Sequence, residues 1–281
     1  MDRDQNQTKI YNGINSHGSF AKVNPLLRLP LDWRFTAAPA GIKVFFTING
    51  GVSAPPYDSL NLGFHVGDEP ALVIRNRVAL CEAHGLDPAS VTSPRQRHTA
   101  VVEVVERAEQ IGAGAFTEES LFDPCDGLAT GLRGVPLLLQ FADCLPVVLV
   151  AGGPRPAIAV VHGGRQGLML GVVQSGVSLL AERFGAEPGS VTAALGPAIG
   201  PCCYEVGADI AAAFGERFGE ETLAGEDRVD LAAAAIVDLK AAGVHPVNIH
   251  LLEICTACDR DFYSYRRDGA TGRHGALAWI A

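Results

Sequence analysis

The sequence lacks any segment that reads as a membrane span. Its longest apolar run, Val135 to Ala151, is interrupted by Gln140, Asp143 and two prolines, whereas a crossing needs about 20 mostly apolar residues. The first twenty residues carry acidic and amide side chains without the apolar centre of a secretory signal. Basic residues are also scarce. Lys plus Arg is 22 against 31 Asp plus Glu, a net charge of −9, and a field of that sign repels nucleic-acid phosphates. The seven cysteines are an odd number and fit no disulfide framework, which suits a reducing compartment. These absences set the expectation of a cytoplasmic protein that binds neither nucleic acid nor membrane.

Several catalytic signatures are missing as well. There is no GxSxG elbow, no GxxxxGK[ST] loop, no HExxH, and no HxE followed by PCxxC. The eight histidines contain no HxH pair, so the copper-binding repeats of true multicopper oxidases are absent.

What remains is a chain of 281 residues, 48 % hydrophobic, long enough to bury a core unaided. Residues 1–30 are polar and broken by Asn, Gly, Ser and Pro, so they read as a loose N-terminal arm, with one catalytic domain over 31–281. Apolar runs at Val44–Ile48, Val101–Val105, Val135–Phe141, Val147–Val150, Ile158–Val161, Val191–Leu195 and Val247–Leu252 predict strands. Several are apolar throughout, which implies burial on both faces. Pro70–His84, Leu168–Phe184, Gly207–Phe218 and Asp230–Ala242 predict helices. The alternation gives a single mixed α/β (α+β) domain.

Chemistry-bearing residues gather where predicted strands meet loops: Arg95 to His98, Ala142 to Pro146, and Val161 to Gly164. His98, Cys144 and His162 would make a three-ligand zinc site with its fourth position open for water. Their separations, 46 and 18 residues, match no compact metal motif, and a buried thiol with core histidines fits the same pattern. Gly163-Gly164 ahead of a helix start suits close approach of an anion, or an ordinary turn. Cys202-Cys203 sits in a loop dense in Gly and Pro that reads as a pocket wall or a rigid turn. Cys255-Thr256-Ala257-Cys258 has no second CxxC to pair with and reads as packing or incidental thiols. Arg266 and Arg267 beside Tyr263 and Tyr265 suit an anionic or planar substrate, or a solvated ion-pair cluster.

Taken together, Ser59-Leu60-Asn61-Leu62-Gly63, His65-Val66-Gly67-Asp68, Asn76-Arg77, Gln96-Arg97-His98, Asp126-Gly127-Leu128, Ala142-Asp143-Cys144-Leu145-Pro146, His162, the Gly196 to Tyr204 loop and Tyr265-Arg266-Arg267-Asp268 resemble the laccase-domain purine nucleoside phosphorylase family. Its members are also called polyphenol-oxidase-like or peptidoglycan editing factor proteins. The resemblance runs from about residue 40 to the last residue. It implies a four-layer α/β/β/α sandwich and a zinc site on His98, Cys144 and His162, with copper as the alternative metal. It further implies phosphorolysis of adenosine, inosine and methylthioadenosine, and deamination of adenosine.

Within that reading Cys144, His162, Asp143 and Asp126 are the catalytic candidates, the two aspartates as proton shuttles. Asn61, Arg266, Arg267, Gly163 and Gly164 are the candidates for binding nucleoside and phosphate, in a monomer or homodimer. One stretch departs from the family pattern. Where the family has His-Ala-Gly-Trp-Arg-Gly, this chain has His162-Gly163-Gly164-Arg165-Gln166-Gly167. Two rivals keep other chemistry: a cysteine hydrolase acting on cell-wall precursors with Cys144 as nucleophile and His162 as base, and a copper-dependent polyphenol oxidase. A third, a non-catalytic zinc-stabilised module, would need four protein ligands.

Overall fold

The computed structural model describes residues 20–22, 32–119 and 122–281. Along the chain come β1 (Phe20–Lys22), β2 (Asp32–Phe35), β3 (Ile42–Thr47), α1 (Pro70–Ala83), β4 (Val102–Val104), β5 (Gly127–Thr130) and β6 (Leu137–Phe141). Next are β7 (Leu145–Ala151), β8 (Ala157–Gly163), α2 (Arg165–Met169), α3 (Val172–Phe184) and β9 (Thr192–Leu195). The remainder holds α4 (Ala208–Phe218), α5 (Leu231–Ala241), β10 (Ile249–Leu251), α6 (Tyr265–Asp268) and β11 (His274–Ile280). Two sheets result, ordered β1-β2-β3-β11-β6 and β10-β9-β7-β8-β5-β4.

The side-chain period of a strand explains why the apolar runs are continuous. On β7, Val148 and Val150 face the core between the sheets, where they meet Phe46, Phe141, Val160 and Ala276. The alternate residues, Val147 and Leu149, face outward and are covered by Val177 and Leu180 of α3, Phe214 of α4 and Ile236 of α5. The first sheet repeats the logic. Phe46 turns inward, while Phe45, Leu138, Leu277 and Trp279 pack under Leu80 and Cys81 of α1. The layers are therefore α/β/β/α. Burying each such side chain contributes about 1.5–3 kcal/mol.

Three details differ from the sequence reading. Phe20–Lys22 fall within the stretch expected to be a loose arm, yet they pair antiparallel with β2 at the sheet edge. Residues 1–19 and 23–31 lie outside the described residues. The helix expected from Leu168 to Phe184 is two helices, because Gly171 takes φ +85° between α2 and α3. Finally, β2, β5 and β11 have no counterpart among the expected strands, although β11 lies inside the first sheet, between β3 and β6. β11 is buried along its whole length, so it shows no polar-apolar alternation, and Gly275 and two alanines dilute its strand signal.

Candidate metal centre and its pocket

β6 belongs to one sheet and β7 to the other, so the chain must cross between layers in residues 142–144. Asp143 turns the corner with φ +87°, and Cys144 stands at the crossing. β8 runs antiparallel beside β7, with Pro146 opposite His162 and Leu145 opposite Gly163, which places His162 next to Cys144. His98 comes from the loop before β4 and takes φ +60°. Among the described residues, His98 and Asp143 are the non-glycine residues with positive φ, and such backbone is held only where its surroundings fix it.

The ligating atoms of His98, Cys144 and His162 lie within 4.8 Å of one another, and the two imidazole rings are 4.9 Å apart. Asp126 fixes both histidines. Its Oδ1 is 2.7 Å from His162 Nδ1, leaving Nε2 as the free ring nitrogen. Its Oδ2 accepts from the backbone N–H groups of Arg97 and Thr99, at 3.0 and 2.6 Å, and from the Thr99 hydroxyl. Arg97 and Thr99 are the two neighbours of His98, so one buried carboxylate sets the loop on which His98 stands. Burial works against charge on His162, but Cys144 and Asp126 outweigh it and raise the imidazole to about 9. Burial likewise opposes ionisation of Asp126, and the bond to His162 and the backbone donors bring it down to about 2. His98 is lowered by burial and then by His162.

Two imidazoles and a thiolate, one imidazole backed by a carboxylate, fit a metal ion of the zinc class with one open position. The cluster borders a pocket of about 440 Å3 lined by Phe64, His65, Arg97, Gln140, Tyr265 and Arg273 beside His98, Cys144 and His162. Arg77 forms part of its wall, but its guanidinium is engaged by the carbonyls of Leu62, Gly114 and Ala115. Gln96 and Gln140 exchange side-chain and backbone hydrogen bonds at 2.9 Å, tying the His98 loop to β6. Burial, with Arg273 and other nearby cations, lowers His65 to about 4, so it faces the pocket as a neutral imidazole near pH 7.

The other expected site residues are distributed unevenly. Asp143 is buried and accepts from the Thr256 hydroxyl at 2.7 Å and the Arg266 N–H at 2.6 Å. Neither it nor Asp126 lines the pocket; the bonds of both carboxylates hold backbone and side chains around the site. Asn61 is fully buried; it bonds Gly63, Asp68 and the backbone of Arg273, holding the segment that brings His65 and Arg273 together. Arg267 is engaged by the carbonyls of Thr256, Asp259 and Phe262 and by Asp268, which removes it from the pocket. Arg266 stacks over Tyr204 at 5.2 Å and shares a neighbouring recess with Arg165. Gly163 lies in β8 and Gly164 caps α2; Gln166 is exposed.

His65, Gln140 and Arg273 were not singled out as site residues in the sequence. His65 opens one of the motifs quoted for the resemblance, and Gln140 and Arg273 lie near others, but only the β6, β11 and α1 packing brings them to one cavity.

The fold and the site define an α/β/β/α protein whose pocket opens onto a His-Cys-His cluster able to hold a metal. The chain belongs to the family described as multi-copper polyphenol oxidoreductase laccase, whose profile matches residues 42–281. It is 39 % identical over 264 residues to a purine nucleoside phosphorylase of Xylella fastidiosa, covering 90 % of this chain and 96 % of that one. It is 36 % identical over 255 residues to the purine nucleoside phosphorylase YlmD of Geobacillus stearothermophilus, covering 88 % and 90 %. The crystal structure of that YlmD superposes with a TM-score of 0.85 over 93 % of this chain and 98 % of that one. A Bacillus licheniformis protein, YfiH, gives the same TM-score at 30 % identity, over 93 % and 99 %.

Proposed function

We propose that this chain is a cytoplasmic, zinc-dependent purine nucleoside phosphorylase that cleaves adenosine, inosine and methylthioadenosine and also deaminates adenosine. The observation that carries the reading is a pocket of nucleoside size with arginines on its wall, opening onto the His98, Cys144 and His162 cluster. In a chain of net charge −9, such a cationic lining marks a local demand for an anion. The relatives' names supply the substrate class.

When bound, the ion supplies a Lewis acid with an open coordination position. The chain's own groups supply the rest. Arg97 and Arg273 offset the charge of monohydrogen phosphate and hold it for attack on the sugar C1′. As the new C–O bond forms the C–N bond to the purine breaks, and the proton given up by phosphate balances the one taken by the departing base. Tyr265, 62 % exposed at the mouth, offers a ring face to the purine. Asp126 keeps His162 in one tautomer throughout. Arg266 and Arg165, in the adjoining recess, are the second candidates for phosphate. The test is turnover of adenosine and inosine with and without phosphate, on protein stripped of metal and reloaded with zinc or copper. Release of sugar 1-phosphate only with metal and phosphate present supports the reading. Turnover indifferent to both overturns it.

One arrangement favours a second reading. Cys144, His162 and Asp126 stand in the order of a thiol nucleophile, its base and an orienting carboxylate. A cysteine hydrolase of that type would keep its activity after metal removal and lose it to a thiol alkylating agent.

A further inference from the structure

The sequence separates Cys202-Cys203 from Cys255 and Cys258 by more than fifty residues, yet the fold brings the four sulfurs within 4.8 Å of one another. Cys202 Sγ is 3.8 Å from Cys258 Sγ, and Cys203 Sγ is 3.4 Å from it. A disulfide needs about 2.05 Å. Thiolates around one tetrahedral zinc, each about 2.3 Å from the ion, stand about 3.8 Å apart. An iron–sulfur cubane, with its own irons and sulfides between the ligands, would hold them further apart than 4.8 Å allows for all four.

The backbone is arranged for an anionic sulfur as well. Cys255 Sγ accepts from the N–H of Gly200 at 3.2 Å, and the Cys258 N–H closes the CxxC turn onto the Cys255 carbonyl at 3.1 Å. Gly200 packs closely against the cluster: a Cβ there would lie 3.2 Å from Cys255 Cβ and 3.3 Å from Cys202 Sγ. The two loops are already joined by bonds from Ala198 N–H to Ile254 and from Thr256 N–H to Ala198, so the four side chains approach on a fixed frame.

We propose that Cys202, Cys203, Cys255 and Cys258 form a second metal site, closed and all-thiolate, that holds one divalent ion of the zinc class. On binding, each thiol releases its proton to solvent. The site has no vacant position for substrate and acts as a clip between the loop after β9 and the loop after β10. Both loops bear on Asp143: Ile199 N–H donates to its carbonyl, and the Thr256 hydroxyl and Arg266 N–H to its carboxylate. The clip thereby braces the residue next to Cys144, and its ion is a structural counterpart to the one in the pocket.

The test uses full-length protein purified under reducing conditions. In Cys144→Ala, metal analysis finds one zinc per chain. Cys202 and Cys258 are exposed, yet their thiols resist a chromogenic disulfide reagent until a chelator removes that zinc, after which four thiols per chain react together. Cobalt loaded into the same variant gives the intense sulfur-to-metal charge-transfer absorption of a tetrahedral thiolate site. Cys203→Ser and Cys258→Ser each lose this equivalent while keeping the one at His98, Cys144 and His162. Immediate reaction of Cys202 and Cys258 with zinc still bound, absence of zinc from Cys144→Ala, or a disulfide among the four in non-reducing peptide maps overturns the proposal. The thiol and cobalt readouts do not depend on the serine variants folding.

Discussion

A Cβ placed on Gly164 would stand 2.6 Å from Nδ1 of His98 and 3.1 Å from Sγ of Cys144. Gly164 has φ −73° and ψ 157°, a conformation open to any residue, so its small size serves the site and not the backbone. Gly164→Ala is expected to displace His98 and to weaken metal binding at least tenfold, with little change in thermal stability. Chelator competition beside a melting curve checks this. Unchanged affinity would show that His98 is free to move without leaving the cluster.

Asp126→Asn tests the positioning carboxylate. An amide has one acceptor oxygen, whereas His162 and the backbone at Arg97 and Thr99 approach from two sides. If its NH2 turns to His162, it drives the ring proton onto Nε2, the nitrogen needed for ligation. Loss of such a partner typically costs 10–100-fold in metal affinity or activity. The expected signature is weaker metal binding, with part of the lost activity restored by excess zinc. Full activity at trace zinc would remove Asp126 from this role.

Cys144→Ala should lose one zinc equivalent relative to the wild type and all purine turnover, with the fold intact, because two imidazoles alone hold the ion poorly. Elemental analysis and circular dichroism decide. An unchanged zinc count with lost turnover would instead mark Cys144 as a nucleophile.

Asp238 offers a pH test away from the pocket. It is buried under Arg217 and Gln174, both bonded to its Oδ1, and Oδ2 has no partner among the described residues. Burial raises this carboxyl to about 6, against the opposing pull of Arg217. The unfolded chain gives its proton up near pH 4, so between about pH 4 and 6 the folded state holds more protons than the unfolded one, and stability falls as pH rises. Asp238→Asn keeps the acceptor and removes the charge. It should be more stable than the wild type at pH 8 by up to about 3 kcal/mol, with the gain vanishing near pH 4. Denaturant unfolding at both pH values measures it, and an equal difference at each would be the contrary result.

The central strands of the second sheet were legible because Val147 to Val150 and Ile158 to Val161 are apolar on both faces, and both faces are in fact covered, whereas the short β5 was not among the expected strands. The donor types at His98, Cys144 and His162 were legible too. Their meeting was legible only through the family resemblance and not from spacing, since it depends on the Pro146 to His162 register and on Asp126 reaching across to Arg97 and Thr99, neither of which leaves a local pattern. Chain position also misleads about charge. Arg267 reads like Arg266 in sequence, but one turn of α6 points its guanidinium into backbone carbonyls while its neighbour lies over Tyr204. The four cysteines were read as two separate features for a similar reason: a CxxC without a second CxxC looks incomplete until the fold brings a vicinal pair beside it.

The place of β11 has a consequence for how the molecule comes to exist. Gly275 N–H donates to the Thr47 hydroxyl across 228 residues of sequence, and among the described residues β11 is the strand that pairs with β3 on that side. During synthesis β3 emerges early, and its edge stays unpaired until the whole second sheet and its helices have followed. Contacts of such long range close slowly, and an apolar strand with an open edge is a ready template for pairing between chains. Refolding at high protein concentration should therefore lose material to aggregates, and a supplied peptide spanning residues 270–281 should compete for that edge and spare it.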